Sequence, residues 1–395
     1  MFKTKTYINL IAVLVSLTVL ANNTAISLGL GNAYYAVFIL ALVVLLISTI
    51  RPQINWSMVF FILACYCSVL VNNIPYFYKP FERLAAFVII IGLIGPLIKT
   101  PTLVTFRQLL FKYLNNLIVV MVLISFLGLL ANSSLVYLGR GGFTGLFKHT
   151  MILSPMAAIS MITCFYYAAF YKDKYKKIVF YFLAFFSFIA CVTAGSRAAL
   201  IAGMLSALYF FYKLNHKNLI KYFKVLILSI ALIGVSFPLW ESYTEKLIEK
   251  MEYSQTQGGL LITRERLWER RLEEFKSSPI FGIGFSNDTS KTENDLFIGD
   301  GQIEPGSTWL VILSMIGVLG VVTFFNMFFR TIIKAKSKHS FVYYNKALLL
   351  FFVVHLMAEG YGLSAGSGLF FYFWLLLGVM HQIPNLSFKK KHPIL

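Results

Sequence analysis

The sequence predicts an all-α polytopic membrane protein, and three observations support that fold class. Of its 395 residues, 58% are hydrophobic and only 13% are charged, whereas soluble domains are roughly half apolar and about a quarter charged. Apolar segments of membrane-spanning length recur along the whole chain. The net charge of +19 is concentrated in the short segments between them, as the positive-inside rule describes. We therefore expect a lipid bilayer, and no nucleic acid, as the partner of these cations.

About twelve segments approach the roughly 20 apolar residues that a spanning helix requires. They are Tyr7–Ala21, Ala33–Ile50, Trp56–Val71, Leu84–Ile98, Leu114–Ala131, Met151–Phe170, Ile178–Thr193, Ala198–Tyr212, Tyr222–Pro238, Trp309–Phe329, Ala347–Ala358 and Leu369–Ile383. The sequence thus predicts transmembrane helices 1–9 over residues 1–238 and a long extracytoplasmic loop over residues 239–304. Helices 10–12 follow over residues 305–395. The first segment is expected to be a retained helix rather than a cleaved signal.

The Lys and Arg residues indicate the orientation of these helices. One set of loops carries most of them, including Lys3, Lys5, Arg51, Lys99, Arg107, Lys172, Lys174, Lys213, Lys217, Lys334, Lys336 and Lys389 to Lys391. The opposite set carries Lys79, Arg83, Arg140, Lys148 and Arg197. Since short cytoplasmic loops are enriched in cations, we predict that both termini are cytoplasmic and that the long loop is extracytoplasmic.

Arg197 is the candidate functional residue with the most constrained position. It lies in TAGSRAALIAG, between two apolar segments that have almost no loop between them. An ionisable residue so close to hydrocarbon is costly and is therefore a functional candidate. A guanidinium binds phosphate oxygens bidentately and stays charged when partly desolvated. Arg140, in GRGGFTGLFKH, has glycines beside it that would let the backbone approach a ligand. Either arginine could instead simply snorkel to the interface.

The long loop contains a predicted amphipathic helix in TRERLWERRLEEF. Arg264, Trp268, Leu272 and Phe275 form one stripe of it, because residues at these spacings share a helix face. The stripe would rest on the membrane with Trp268 as anchor, which places Arg264 beside the bilayer. Arg266 lies off the stripe and is a weaker candidate. The wetter sides would carry Arg270, Arg271, Glu273 and Glu274, and Asp288 is expected in a solvated loop.

Two acidic residues lie at predicted extracytoplasmic helix ends. Glu304 precedes Pro305 and the apolar run from Trp309, where a carboxylate is favoured by the helix dipole and proline suits the first helical position. It could also act as a general base, which requires a carboxylate within hydrogen-bond reach of a hydroxyl. For Glu359, in AEGYGLSAGS, we expect pairing with an arginine. The four cysteines have no disulfide or zinc spacing, and we predict neither metal nor cofactor.

The ordered set GRGGFTGLFKH, TAGSRAALIA, TRERLWERRLEEFKSSPIFGIGF, an acidic residue before STWLVILSMIGVLG, and AEGYGLSAGS resembles the O-antigen ligase and polymerase superfamily. The resemblance implies a GT-C-like architecture in the bacterial inner membrane. It also implies glycan transfer from undecaprenyl pyrophosphate, without metal or nucleotide sugar. Arginines matching Arg197 and Arg264 are implied to hold the pyrophosphate, and Arg140 matches a further family arginine.

These inferences predict an inverting glycan polymerase. Glu304, Arg197 and Arg264 would act in catalysis, and Arg140, Arg266 and Glu359 would bind substrate. Donor and acceptor would both be oligosaccharides linked to undecaprenyl pyrophosphate, with a chain-length regulator as a further partner. The alternative is a ligase that transfers the glycan to lipid A core or another acceptor, but such ligases usually have His where Glu304 stands. A transporter or flippase that moves the lipid-linked sugar without making a bond is disfavoured because the sequence lacks intramembrane charge pairs.

Overall fold

The computed structural model describes residues 2–25, 31, 33–47, 52–138, 142–244, 248–249, 252, 255–256, 262–289, 306–336 and 339–383, and these are mainly helical. The helices are α1 (Phe2–Asn23), α2 (Ala33–Ile47), α3 (Trp56–Val71), α4 (Pro80–Ile94), α5 (Pro101–Leu130), α6 (Thr150–Phe170), α7 (Lys174–Thr193), α8 (Arg197–Asn215), α9 (Leu219–Trp240), α10 (Ile262–Ser277), α11 (Thr308–Lys334), α12 (Ser340–Ala358) and α13 (Gly368–Gln382). Two short antiparallel pairs connect loops: β1 (Gln53–Ile54) with β2 (Ile98–Lys99), and β3 (Tyr137–Leu138) with β4 (Gly142–Phe143).

The predicted all-α membrane class is confirmed, since each predicted apolar segment overlaps a helix. Within the described residues, seven helices are long and apolar enough to cross a membrane. They are α1, α5, α6, α7, α8, α11 and α12. The helices α2, α3 and α13 and the apolar part of α9 are shorter. The count of about twelve spans and the division at residues 238 and 304 stay predictions.

Helix α5 begins earlier than its apolar stretch predicts. The apolar stretch predicts a start at Leu114, but the helix starts at Pro101 and Thr100 is its N-cap. The Thr100 side chain accepts from the Leu103 N–H at 3.0 Å, which satisfies one of the donors that a helix start leaves open. Arg107 is fully buried in this early part. The polar residues therefore extend the helix rather than end it.

A buried polar cluster joins four helices in the core. The Asn115 side-chain oxygen on α5 accepts from the hydroxyls of Tyr372 at 2.5 Å, Tyr344 at 3.1 Å and Thr163 at 3.3 Å. These partners lie on α13, α12 and α6. A satisfied network of this kind fixes its members relative to one another, because an unmade hydrogen bond is costly in apolar surroundings.

Helix α11 is interrupted at Gly317, whose φ of 71° and ψ of −166° are not helical. Backbone groups of the segment that follows α10 bind the groups freed by the break. The hydrogen bonds run from Ile283 N–H to Ser314 O (2.8 Å), from Gly284 N–H to Met315 O (3.1 Å) and from Val318 N–H to Pro279 O (2.9 Å). Irregular backbone within a membrane protein is tolerated where its polar groups are paired in this way.

Two glycines allow the two backbones to meet at the break. A Cβ on Gly317 would overlap the carbonyl of Ile280, and a Cβ on Gly282 would overlap the backbone of Met315 and Ile316. Both glycines also have positive φ, which disfavours other residues. The run SPIFGIGF is therefore a docking segment that attaches α10 to α11.

Candidate functional site

An ion pair joins helix α10 of the long loop to the end of helix α12. The Arg264 Nη2 atom lies 2.7 Å from Glu359 Oε1, and the two side chains are 19% and 13% exposed. The expected pairing of Glu359 with an arginine is thus confirmed. Because both groups keep some access to water, the pair can also meet a ligand.

The first turn of helix α11 is hydrogen-bonded to residues around Glu359 at the end of helix α12. We refer to this junction of the two helix ends as the Glu359 corner. The Thr308 N–H and hydroxyl both donate to the Glu359 carbonyl, at 3.0 and 2.9 Å. The same hydroxyl accepts from the Gly362 N–H at 3.0 Å, and the Ser307 hydroxyl donates to the Leu356 carbonyl at 3.3 Å. These bonds hold the start of α11, the end of α12 and Glu359 in one fixed arrangement.

His355, which is buried, and Tyr361 lie next to the Glu359 corner. Their Nδ1 and hydroxyl oxygen share a hydrogen bond of 2.7 Å, and the His355 ring stacks on Phe351. Burial, together with the nearby Glu359 charge, raises the pKa of Tyr361 well above its usual range. Its hydroxyl therefore stays neutral and supports the corner as a hydrogen-bonding group.

Arg197 is the first residue of helix α8. Gly195 has a φ of 71°, and the Ser196 hydroxyl accepts from the Ala199 N–H at 3.4 Å as the N-cap. The TAGSR segment therefore makes the tight turn between two helices that its sequence predicts. Arg197 is half-buried at this turn.

Helix packing places Arg197 at the same end of the bundle as Glu359. Helix α8 packs against α12, and Lys213 near the end of α8 interacts with Lys346 near the start of α12. The two helices are therefore antiparallel. Arg197 lies about 24 Å along α8 from Lys213, and Glu359 about 20 Å along α12 from Lys346, at 1.5 Å per residue. Arg197, Arg264 and Glu359 thus lie at the same end of the helix bundle.

Of the other predicted site residues, only Arg266 lies within the described structure, and it does not join this group. Arg266 is exposed and lies about 200° around α10 from Arg264, at 100° per residue. Arg140 and Glu304 lie outside the described residues. Gly306, two residues after Glu304, packs against Leu267, since a Cβ on it would lie 3.0 Å from the Leu267 Cβ.

The prediction that Arg271, Glu274 and Asp288 are solvated is wrong. Arg271 is fully buried, and its two terminal nitrogens bind Glu274 at 2.7 Å and Asp288 at 3.0 Å. The Tyr78 hydroxyl donates to the Asp288 carbonyl. A buried arginine is tolerated when hydrogen-bonded carboxylates surround it. Leu272, predicted on the membrane-facing stripe, is 40% exposed.

Sequence reasoning missed three residues near the Arg264–Glu359 pair. His355 had a detectable signal, since it is ionisable within an apolar helix and lies one turn before Glu359. Tyr361 and Thr308 had none, because ordinary loop and helix-start roles explain both residue types. Trp268, predicted only as an anchor, has a buried indole N–H with no acceptor among the described residues. It lies one turn from Arg264 and offers a donor to a ligand.

Comparison with known families finds a match over residues 182–325 to a family model described as O-antigen ligase, Wzy_C. This range contains Arg197, Arg264 and Glu304, so the resemblance to the O-antigen ligase and polymerase superfamily is confirmed there. Arg140 and Glu359 lie outside it. No curated protein and no solved structure matched the chain. The apolar helices indicate a multi-pass membrane protein, and residues 182–325 are similar to the O-antigen ligase family.

Proposed function

We propose, from the O-antigen ligase family match over residues 182–325, that this protein polymerises glycan repeat units. The units are linked to undecaprenyl pyrophosphate, and the reaction takes place at the outer face of a bacterial inner membrane. The observation that carries the proposal is the Arg264–Glu359 pair of 2.7 Å, at the end of the bundle where Arg197 begins helix α8. Arg264 beside Glu359, with Arg197 at the same end of the bundle, would suit a pyrophosphate, whose oxygens accept from guanidinium forks.

The proposed reaction is a single in-line displacement without metal or cofactor. Glu304 takes the proton from an acceptor hydroxyl, and that oxygen attacks the anomeric carbon of the donor. The bond from this carbon to the pyrophosphate oxygen breaks, and undecaprenyl pyrophosphate leaves with the electron pair. The anomeric centre is inverted. Arg197 and Arg264 stabilise the charge that develops on the leaving group, because donors fixed in a poorly hydrated site need no reorganisation.

The described contacts support a positioning role for Glu359. Its carboxylate holds the Arg264 guanidinium, while its carbonyl holds Thr308 at the start of α11. Since a guanidinium has five N–H donors, Arg264 can bind Glu359 and a phosphate oxygen at once. The buried indole N–H of Trp268 adds a neutral donor one turn away. We assign Arg266 and Arg140 to weaker contacts with the glycan or pyrophosphate.

The proposal includes a topology of twelve spans with both termini in the cytoplasm. The loop of residues 239–304 would then face the periplasm and would cover the site from outside. A chain-length regulator would contact the same face. Cysteine labelling at positions 217 and 276 would test the orientation, since both side chains are exposed and are predicted to lie on opposite sides.

The experiment for the arginines is polymer formation by purified protein from a lipid-linked repeat unit. Arg197→Ala and Arg264→Ala should each lower the rate by roughly 10²–10³, as loss of one transition-state donor does. Their levels in the membrane should be unchanged. Lys276→Ala, exposed on the same helix as Arg264, is the matched control. Full-length polymer at the wild-type rate from Arg197→Ala would exclude the pyrophosphate role.

Glu304 is tested separately by two replacements in the same assay. Glu304→Gln removes the base at nearly constant size and should abolish the reaction, whereas Glu304→His supplies another base and should keep part of the rate. A wild-type rate for Glu304→Gln would remove this residue from the mechanism.

A ligase is the second candidate, because the matching family model is itself described as O-antigen ligase. It would use the same donor and the same arginines but a different acceptor. Incubation of purified protein with lipid-linked glycan, with and without lipid A core, separates the two activities. Long lipid-linked polymer without core indicates a polymerase, and product that requires core indicates a ligase. A flippase would form no glycosidic bond in either mixture.

A further inference from the structure

A second polar cluster lies at the opposite end of the bundle from the Arg264–Glu359 pair. Its centre is Arg107 on helix α5, which is fully buried. The Arg107 Nε donates to the Leu93 carbonyl at 2.9 Å, and its Nη2 donates to the Gly92 carbonyl at 3.0 Å. Its Nη1 has no partner among the described residues. These bonds fix the guanidinium, but carbonyls do not neutralise its charge.

The last turn of helix α13, together with Gln108 of helix α5, adds further polar atoms that lack partners within the described chain. They are Gln382 Nε2 and Oε1, His381 Nδ1 and, from α5, Gln108 Nε2. A Cβ on Gly378 would overlap the Ile94 carbonyl, so α13 touches the end of α4 beside the two carbonyls that bind Arg107. Gln382 is fully buried and lies one turn beyond Gly378 on the same side of α13, since residues four apart are helix neighbours.

Among the described residues, the charged groups that interact with this cluster are all positive. Lys99 on β2, Lys334 at the end of α11, and Arg107 each interact electrostatically with His381. Partial burial and the charge of Lys334 lower the pKa of Lys99. In the described parts of the chain, the ion pairs involve other cations than these. Buried or crowded cations normally have anionic partners, so the chemistry of this cluster suits an anion.

We propose that Arg107, Gln382, Lys99 and Lys334 bind the phosphate group of an anionic ligand. Its oxygens would accept from Arg107 Nη1–H, from the Gln382 amide and from the two ammonium groups at the rim. Lys99 immediately precedes helix α5, and Lys334 ends helix α11. The site therefore lies at helix ends, where phospholipid headgroups meet a membrane protein. Basic pockets between transmembrane helices bind anionic headgroups by this chemistry.

This site is separate from the proposed glycan site. Lys334 ends α11, whereas Thr308 beside Glu359 begins it, and the unbroken second part of the helix, residues 318–334, alone extends for about 24 Å at 1.5 Å per residue. The inference therefore does not depend on the proposed transferase activity.

Thermal melting of the full-length protein in neutral detergent tests the site. Phosphatidylglycerol should raise the melting temperature with increasing concentration, because a ligand that binds only the folded state stabilises it. Phosphatidylcholine, which has no net charge, should have little effect. A Lys99→Gln/Lys334→Gln double variant should need roughly 30-fold more phosphatidylglycerol, at about fivefold for each charge removed. Lys217→Gln, exposed at the α8–α9 turn, should respond like wild type.

The rim lysines are chosen because Arg107 replacements risk unfolding the bundle. Inorganic phosphate is the third ligand. A shift with phosphate alone, lost in the double variant, supports the site and assigns it to a soluble phosphate, whereas a shift with phosphatidylglycerol alone assigns it to a headgroup. Equal shifts with phosphatidylglycerol and phosphatidylcholine, no shift with either anion, or a wild-type response of the double variant would overturn the proposal.

Discussion

Arg264 and Arg271 lie two turns apart on the same side of helix α10, yet their surroundings differ. Arg271 is fully enclosed between two carboxylates, at 2.7 and 3.0 Å. Arg264 keeps 19% of its side chain exposed and reaches a carboxylate of another helix end. An arginine enclosed by acids holds two segments together, whereas one at an open edge can also bind a ligand. In the same helix, Arg271 thus stabilises the fold, whereas Arg264 is proposed to bind the substrate.

The largest expected effect is on the enclosed arginine. Arg271→Met leaves Glu274 and Asp288 buried without their main partner and should destabilise the fold by about 3–5 kcal/mol, as breaking a buried ion pair does. Thermal melting in detergent measures this loss. Lys276→Met, exposed on the same helix, should melt like wild type. Equal melting of the two variants would mean that the buried network has no structural role.

The second effect separates stability from activity at the open arginine. Arg264→Gln should cost less stability than Arg271→Met, about 1–3 kcal/mol, because the largely buried Glu359 loses its charged partner, while polymer formation should fall roughly 10²–10³-fold. The charge-reversed double variant Arg264→Glu/Glu359→Arg restores the pair but not a cation at position 264. If that variant made polymer normally, the pair would be purely structural.

The third effect concerns the segment that anchors this helix. Gly317→Ala places a Cβ onto the Ile280 carbonyl at a positive φ and should cost about 1–3 kcal/mol, the usual range for strained backbone. Gly234→Ala is the control, since a Cβ there meets nothing within 4 Å and alanine favours a helix. Denaturation midpoints of the two variants should move in opposite directions, and identical midpoints would contradict the docking role.

The smallest expected effect on stability is that of an exposed ion pair. Lys79 and Glu82 form an ion pair of 3.8 Å, but their side chains are 56% and 66% exposed. Glu82→Gln should therefore change stability by less than about 0.5 kcal/mol. A melting shift as large as that of Arg271→Met would show that exposure does not distinguish these pairs.

The helices were predictable because an apolar run within a membrane must satisfy its backbone hydrogen bonds internally, and a helix does so. The start of α5 was not, since its polar residues are stabilised by a distant contact: Arg107 binds the carbonyls of Gly92 and Leu93. The break at Gly317 could not be predicted from the sequence either. It lies in an apolar run that resembles one continuous helix, and only the backbone of SPIFGIGF fills it.

The site was predictable where a residue's position alone made it unusual. Arg197 and Glu359 lie at helix ends in an apolar chain, and the structure pairs Glu359 with Arg264 at the end of the bundle where helix α8 begins. Asp288 follows Arg271 by seventeen residues and lies in a polar stretch of the sequence. The composition of this stretch therefore predicts that Asp288 is exposed to solvent. Only the folded path of residues 278–288 brings its carboxylate to Arg271.

The docking of SPIFGIGF into helix α11 also sets an order of assembly. Ile283 and Gly284 leave the ribosome before Ser314 and Met315, the residues whose carbonyls they bind. The first half of α11, residues 308–316, is about 14 Å long, less than half of the roughly 30 Å hydrocarbon core. Helix α10 can therefore make these hydrogen bonds only once residues 314 and 315 have been synthesised, and Arg264 can pair with Glu359 only once helix α12 is complete. A chain released before its last hundred residues would carry Arg197 and Arg264 but have no assembled site.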